Sequence, residues 1–541
     1  MGNRITAVQS PPSLSAKIPN MTQHHKNRLV IGGVLLIILI LAAYFRLVNV
    51  HGNPGWFTDE GTHIEVARAL LDGRIQYLAI KDSTLLFSRL PLFEYLLAEV
   101  GRLFGLNITT LRLLTGSLGV FSVGLLALVV WRMTKERWLA VTAAFILAIF
   151  PAAIVYGRFG FSYNLLTPLL LLVWLGLWEY DQTRSNKWLA LAAICLGLGT
   201  ISDLWMIGYL PVFVLIVLFS SNWQLFETRF IKPRSRLNWH TLAWSLPLAL
   251  LPFTIYVVHS LITAPDAFLF DANFVRARLS LSLGAQIQSL ATNLTVLLSQ
   301  DGWIALGFIG FLALPRKEQR RFLLLFILLP VIILGRSTAL HGLGFHYFIP
   351  FLPFIALGIA ALLWRGVPIL ADALPFIPQK TTAKPFAIGI VCIPLFTTIW
   401  LLNGQVNGRY QTAIDPFLID PQDAETVAAF INHELGEDDL VIATPTLTWL
   451  LHMKSADFQM SVAAAGIDTP HLPADIPPER YAFNPDYHLA KMVVVDNWWY
   501  TWGQFNIPGL TQMLTDVTTW PLVFSSGDMK VYQNPALSNQ S

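Results

Sequence analysis

A chain of 541 residues of which 54% are hydrophobic and only 13% charged, with a mean hydropathy of +0.55, is too apolar for an ordinary soluble protein, where about a quarter of residues carry charge. Its net charge of +3 arises from short basic clusters between apolar runs, with no continuous basic face; this excludes a nucleic-acid partner as the expectation and points to a polytopic protein among membrane lipids. Cys195 and Cys392 both lie in apolar runs, so neither a disulfide framework nor a cysteine metal site is expected.

Residues 1–28 are polar and hold Arg4, Lys17, Lys26 and Arg28 without an apolar core, reading as a disordered cytoplasmic tail. Leu29–Val48 has about the ~20 residues needed to cross hydrocarbon. It lacks a small-residue cleavage site and reads as an uncleaved signal anchor. Further apolar runs lie near 109–131, 138–157, 162–180, 187–202, 204–220, 240–262, 296–314, 321–335, 345–364 and 385–404. Basic residues fill alternate connections: Arg132, Lys135 and Arg137; Arg184 and Lys187; Arg229, Lys232, Arg234 and Arg236; Arg316, Lys317, Arg320 and Arg321; Arg365, Lys380 and Lys384. All fall on the cytoplasmic side if the N-terminus does.

That pattern holds only if the apolar stretch 91–106 does not cross, and its Glu94, Glu99 and Arg102 suit an interfacial or re-entrant helix. The fold expected is an α-helical polytopic membrane protein of roughly eleven spans. Residues 29–404 form its transmembrane domain, with a first outer loop at 49–108, and 405–541 an extracytoplasmic α/β domain. That domain shows an amphipathic helix at Asp423–Leu435 and strand-like runs at Leu440–Thr444, Met492–Asp496 and Pro521–Ser525. Its Trp498-Trp499-Tyr500-Thr501-Trp502 cluster reads as core or interface anchoring in preference to a sugar platform. A long outer connection, 263–295, carries Asp266, Asp271, Arg276 and Arg278; it could close over a site, with most of its charge solvated.

The chemistry concentrates in the first outer loop. Asp59-Glu60 opens an amphipathic helix over Glu60–Leu71, and the loop continues through Lys81 and Arg89. Neighbouring helical residues point about 100° apart. The two carboxylates therefore cannot flank a sugar as a glycosidase pair does; one faces the site, here taken as Asp59, while Glu60 orients the loop or an acceptor. The plainer alternative makes Asp59 the helix N-cap. Lys81, Arg89 and Arg158 are candidates for holding a phosphate, with lipid-facing snorkelling as the alternative for the first two. His341 and His346, at a spacing that does not place two ligands on one helix face, read as polar lining. These residues leave open whether a divalent metal assists.

Three segments resemble the GT-C membrane glycosyltransferases, the superfamily of the protein O-mannosyltransferases and the lipid A aminoarabinose transferase. Asp59-Glu60 with Ala67-Arg68-Ala69-Leu70-Leu71-Asp72-Gly73 is similar to the start of that family's first outer loop. Arg89-Leu90-Pro91-Leu92 with Leu103-Phe104-Gly105 is similar to its basic-Pro-Pro-Leu element, though Leu90 replaces the first Pro and Ser88 stands where the aminoarabinose transferase has Glu. Tyr347-Phe348-Ile349-Pro350-Phe351-Leu352-Pro353 is similar to its late aromatic motif. With the Arg158 segment the resemblance covers residues 1–405. It implies an inverting transferase with a polyprenyl-phosphate-linked sugar donor and a lipid, glycan or protein acceptor, working outside the plasma membrane. It implies a catalytic Asp59, an Arg89 near the donor phosphate and a Tyr347 lining the donor site. The rival classes are an oligosaccharyltransferase, whose WWDYG-like element is not evident, a transporter or lipid flippase, and a non-catalytic glycan-binding scaffold.

Overall fold

The computed structural model describes residues 21–82, 90–219, 238–279, 282–300, 302–335, 344–372, 380–410 and 415–537. The chain opens with α1 (Met21–Leu47); the loop after it carries α2 (Thr58–Leu71), an antiparallel hairpin of β1 (Gln76–Tyr77) and β2 (Ile80–Lys81), and α3 (Pro91–Phe104). A bundle follows: α4 (Ile108–Thr134), α5 (Arg137–Ile149), α6 (Pro151–Arg158), α7 (Tyr163–Thr183), α8 (Asn186–Thr200), α9 (Leu210–Phe219), α10 (Trp239–Thr263), α11 (Pro265–Leu279), α12 (Leu283–Gln300), α13 (Gly302–Gly310), α14 (Lys317–Gly335), α15 (Leu352–Asp372) and α16 (Lys380–Asn407).

Among the described residues four helices are long and apolar enough to cross a membrane: Arg28–Leu47, Ile108–Thr134, Trp239–Thr263 and His346–Ile369. The α5–α6 pair, bent by 55°, makes up to five. The bend falls at Pro151, which lacks the N–H that would continue α5 and starts a new helix instead. Fewer helices qualify than the eleven runs read from hydropathy because several, such as Leu204–Phe219 and Gly302–Ala313, fall short of 18 residues. The tail expectation changes too: Met21 to Arg28 form the first turns of α1, and residues 1–20 lie outside the described part.

Local chemistry sets the turns of the bundle. α4 and α7 each stop on a basic residue in the left-handed conformation, Lys135 (φ 62°) and Arg184 (φ 58°), whose N–H returns to Trp131 O and Tyr180 O at 2.8 Å. Two of the basic clusters thus sit in tight helix turns. α13 and α15 meet backbone to backbone: a Cβ on Gly310 would lie 1.8 Å from the Gly358 carbonyl oxygen.

α3 is amphipathic. Phe93, Leu97, Ala98 and Gly101 are buried while Tyr95, Leu103 and Phe104 are exposed. Fourteen residues rise only about 21 Å, too little to cross a bilayer core of about 30 Å, as an interfacial helix requires. Buried His63 Nδ1 and Glu94 Oε1, 2.8 Å apart, tie α2 to α3.

After the bundle the chain builds a five-stranded mixed sheet in the order β4-β3-β5-β7-β6. β3 (Leu440–Ile442) runs parallel to β4 (Lys454–Ala456) and β5 (Met492–Val495), and β7 (Met529–Gln533) pairs antiparallel with β5 and with β6 (Leu522–Ser526). α17 (Pro421–Glu434) buries Ala424, Val427, Ala428 and Ile431, one face at helical spacing. The expected helix and three strand runs match α17, β3, β5 and β6. β4 and β7 add two strands, β7 closing a hairpin whose turn uses Gly527 at φ 52°. The connection 263–295 is largely helical, as α11 and α12; Asp266 and Arg276 are exposed, while Asp271 is the exception to the expected solvated charge, buried against Arg480 at 3.2 Å.

This sheet region seals the loop between α1 and α4 against the bundle. Trp56 and Ile419 exchange backbone hydrogen bonds of 2.8 and 2.9 Å, Ala482 N–H donates to Ala79 O at 2.7 Å, and Arg480 Nε donates to Lys81 O at 3.0 Å. α2 also meets α18 (Pro445–Thr448), and a Cβ at Gly61 would fall 1.7 Å from the Pro445 carbonyl oxygen.

Candidate active site

The start of α2 separates the two acidic neighbours. Phe57 enters the helix in an extended conformation, and its N–H donates back to Glu60 Oε2 at 3.0 Å, so the cap comes from Glu60 rather than Asp59. Glu60 is fully buried and accepts both arms of the Arg112 fork, Nε at 2.7 Å and Nη2 at 2.6 Å, as well as Gly160 N–H at 2.8 Å. Arg112 spends its remaining donors on Val50 O, Pro54 O and Gly55 O at 2.6 to 2.9 Å. Glu60 therefore anchors the loop to α4 and is not on the wall of the Asp59 cavity, so of the roles open to it the structure places it in orienting the loop and not in the chemistry.

Asp59 points elsewhere. With Thr58 and Thr62 it lines a cavity of about 140 Å³ whose other walls come from Tyr77 of the hairpin, Tyr163 and Tyr347 of the bundle, and Asp457, Gln459, His471, Trp498 and Trp502 of the sheet region. Four distant stretches of sequence meet here. Tyr347, expected to line a donor site, is on the wall of this cavity. His346 lies behind this wall, stacked on Phe161 with centroids 4.8 Å apart and 4.4 Å from Tyr347, where it packs the rings.

The phosphate candidates divide. Lys81 faces a different cavity, about 640 Å³ and largely apolar, bounded by Leu92 and Tyr95 of α3 and by Ile255, Tyr256 and His259 of α10. The β1–β2 hairpin is shared, presenting Tyr77 to the Asp59 cavity and Gln76 and Lys81 to the larger one. Arg158 is fully buried and donates to Phe45 O at 2.8 Å, Asn49 O at 2.7 Å and Asn53 O at 2.6 Å. The Phe45 carbonyl belongs to the last turn of α1, where helical partners run out, and the other two lie in the loop just beyond it; Arg46 serves the end of α5 through Leu147 O and Ala148 O, at 2.8 and 3.1 Å. The structure thus does not bring Arg158 to the cavity. Arg89 and His341 lie outside the described residues.

Two parts of the site escaped the sequence reading. Asp457 caps α19 (Phe458–Ala464), accepting Met460 N–H at 2.9 Å and the Tyr77 hydroxyl at 3.3 Å, and burial pushes its carboxyl up to about 6. Its only local signal was an Asp ahead of a short apolar helix. The tryptophan cluster was read as core or interface anchoring, and Trp499 is core, buried against Phe458 with ring centroids 4.8 Å apart. Trp498 and Trp502 line the cavity, stacked 5.1 Å apart at 20°, because Trp499–Gly503 forms a π-helical turn. Trp498 N–H is held by Asp496 Oδ1 at 2.9 Å. Among the described residues no three His, Cys, Asp or Glu side chains converge as a metal site would need.

Comparison with known proteins places this geometry in context. The family model for dolichyl-phosphate-mannose-protein mannosyltransferases matches residues 86–268. Among solved structures, ArnT from Cupriavidus metallidurans in the apo state is similar with a TM-score of 0.61 and 16% identity, over 95% of this chain and 99% of that one. The same protein bound to undecaprenyl phosphate gives a TM-score of 0.59 at 16% identity, over 96% and 99%. The oligosaccharyltransferase AglB from Archaeoglobus fulgidus, in complex with an inhibitory peptide and a dolichol-phosphate, gives 0.54 at 13% identity, over 88% of this chain and 71% of that one. No curated protein matches by sequence. The likeness to the GT-C glycosyltransferases read from the three motifs is therefore matched by the fold.

Proposed function

We propose that this chain, which has the fold of ArnT and AglB, is a membrane glycosyltransferase that moves a sugar from a polyprenyl-phosphate donor to an acceptor hydroxyl with inversion at the anomeric carbon. The observation that carries the reading is the position of Asp59, a carboxylate in the first turn of a firmly anchored helix, on the wall of a small aromatic cavity. Cleavage between the anomeric carbon and a phosphate oxygen needs little acid, since the polyprenyl phosphate departs as a stable anion. What the reaction lacks is a base for the incoming hydroxyl, and one positioned carboxylate supplies it, worth roughly 10²–10⁴-fold in rate. Asp59 takes the proton as the acceptor oxygen bonds to the anomeric carbon from the face opposite the phosphate.

The larger cavity suits the lipid part of the donor. It is mostly apolar, carries Lys81, and lies between the interfacial α3 and α10, which qualifies as a membrane span. ArnT and AglB are each seen with a polyprenyl-type phosphate. In this reading Lys81 and Arg89 neutralise the departing phosphate, and the first outer loop and sheet region stand outside the plasma membrane.

The test is transfer of radiolabelled sugar from a panel of polyprenyl-phosphate donors into membranes containing the protein. At least one donor labels an acceptor, and Lys81→Ala raises the donor KM about tenfold, as loss of a charged hydrogen bond does. If no donor is consumed while reconstituted vesicles show lipid movement across the bilayer, the transporter reading replaces this one.

A further inference from the structure

The part of the Asp59 cavity built by the sheet region has a chemistry of its own. Trp498 and Trp502 present stacked indole rings, and His471 continues the stack over Trp502, 6.0 Å away at 27°. His471 Nδ1 lies 2.9 Å from Gln459 Oε1, which fixes the amide beside the rings. Asp457, held by Met460 N–H and the Tyr77 hydroxyl, places a carboxylate next to them. The outer face and edges of this aromatic stack, bordered by a carboxylate and an amide, match a pyranose, which is apolar on its C–H faces and polar around its edge. A peptide segment would bring backbone amides that need partners of their own, whereas side chains supply this wall.

We propose that Asp457, Gln459, His471, Trp498 and Trp502 form a saccharide subsite and that the acceptor whose hydroxyl Asp59 deprotonates is a sugar ring. The inference rests on the glycosyltransferase reading above for the word acceptor, but the subsite itself stands on the geometry of the wall. Sidedness assigns it to the acceptor. In the reading above the lipid-borne sugar comes over the β1–β2 hairpin, whose Lys81 lines the larger cavity and whose Tyr77 lines this one, whereas the Trp502 wall belongs to the sheet region.

The experiment uses the full chain in lipid nanodiscs. Binding is read by tryptophan fluorescence and calorimetry with methyl hexopyranosides and short oligosaccharides. Transfer is then assayed with three acceptors: a soluble oligosaccharide, a glycolipid placed in the nanodisc, and a Ser/Thr peptide. Saccharide binding is expected in the wild type and lost at least tenfold in Trp502→Ala and Asp457→Asn, with Trp502→Phe retaining most of it. In transfer, Trp502→Ala raises the saccharide KM tenfold or more and moves the donor KM less than threefold. The soluble and lipid-borne acceptors distinguish the source of the ring. Use of the peptide in place of both saccharides, absence of saccharide binding by the wild type, or a donor KM that rises as much as the acceptor KM each overturns the proposal. Saccharide binding without transfer from any donor leaves the subsite standing and counts against the glycosyltransferase reading alone.

Discussion

Asp59 and Glu60 are adjacent, equally acidic and differently used. The 100° step between helical neighbours made it legible that only one could face a site; which one depended on Arg112, 52 residues further on, whose guanidinium grips Glu60. No local pattern announces a partner at that distance. A buried ion pair that loses one member leaves the other charge uncompensated, at a cost of about 3–5 kcal/mol. Glu60→Gln is therefore expected to lower the melting temperature and the yield of folded protein; a variant that melts like the wild type but transfers no sugar would return Glu60 to the chemistry. Arg158 shows the same limit, since a candidate for holding phosphate proved to be held by backbone carbonyls at and just beyond the end of α1. Asp496 supports a pH prediction. It is buried, accepts the Thr444 hydroxyl at 2.5 Å, and burial pushes its carboxyl up to about 6, as it does for Asp457. A folded-state value above the unfolded one, near 4, means the native state holds the proton more tightly. Stability is then greatest below pH 4 and falls as pH rises from 4 through 6, by on the order of 3 kcal/mol per group, with no further loss from them above. Melting temperature against pH checks this, and Asp496→Asn flattens the part of the slope due to Asp496.

The helix α2 is the element on which the site depends, and its sequence told half its story. Its amphipathic start and acidic first turn were readable; its contact with α18 was not, because Gly61 inside a helix normally signals weakness. Here the glycine lets the Pro445 carbonyl approach closer than any Cβ allows. Gly61→Ala removes a helix-weakening residue, yet it forces α2 and α18 apart and is expected to destabilise the protein and reduce transfer at least tenfold by widening the Asp59 cavity. Limited proteolysis and transfer assays on the purified variant test it, and unchanged behaviour in both would show that the contact is dispensable. α3 was legible for a physical reason: charges interrupt its apolar run and its length is short for a bilayer. The π-helical turn at Trp499–Gly503 was not, since a period of 3.6 puts Trp498 and Trp502 on a core-facing stripe with no hint that the turn widens.

At the scale of the molecule, the first outer loop is held between the bundle and the sheet region, and each cavity borrows walls from both sides of its hairpin. Hydropathy conveyed the bundle and the α/β character of the final quarter because apolar runs and strand alternation are local properties. The closing contacts of Trp56 with Ile419, Ala79 with Ala482, and Asp271 with Arg480 join residues hundreds of positions apart. They are what convert a loop carrying an acid into a cavity with four walls. The measurement that tests the central claim most directly is single-turnover transfer by Asp59→Asn, with donor binding measured on the same preparation. The account predicts that donor binding stays within about threefold of wild type while the transfer rate falls by roughly 10²–10⁴. Transfer at the wild-type rate from a folded, membrane-inserted Asp59→Asn protein would contradict it.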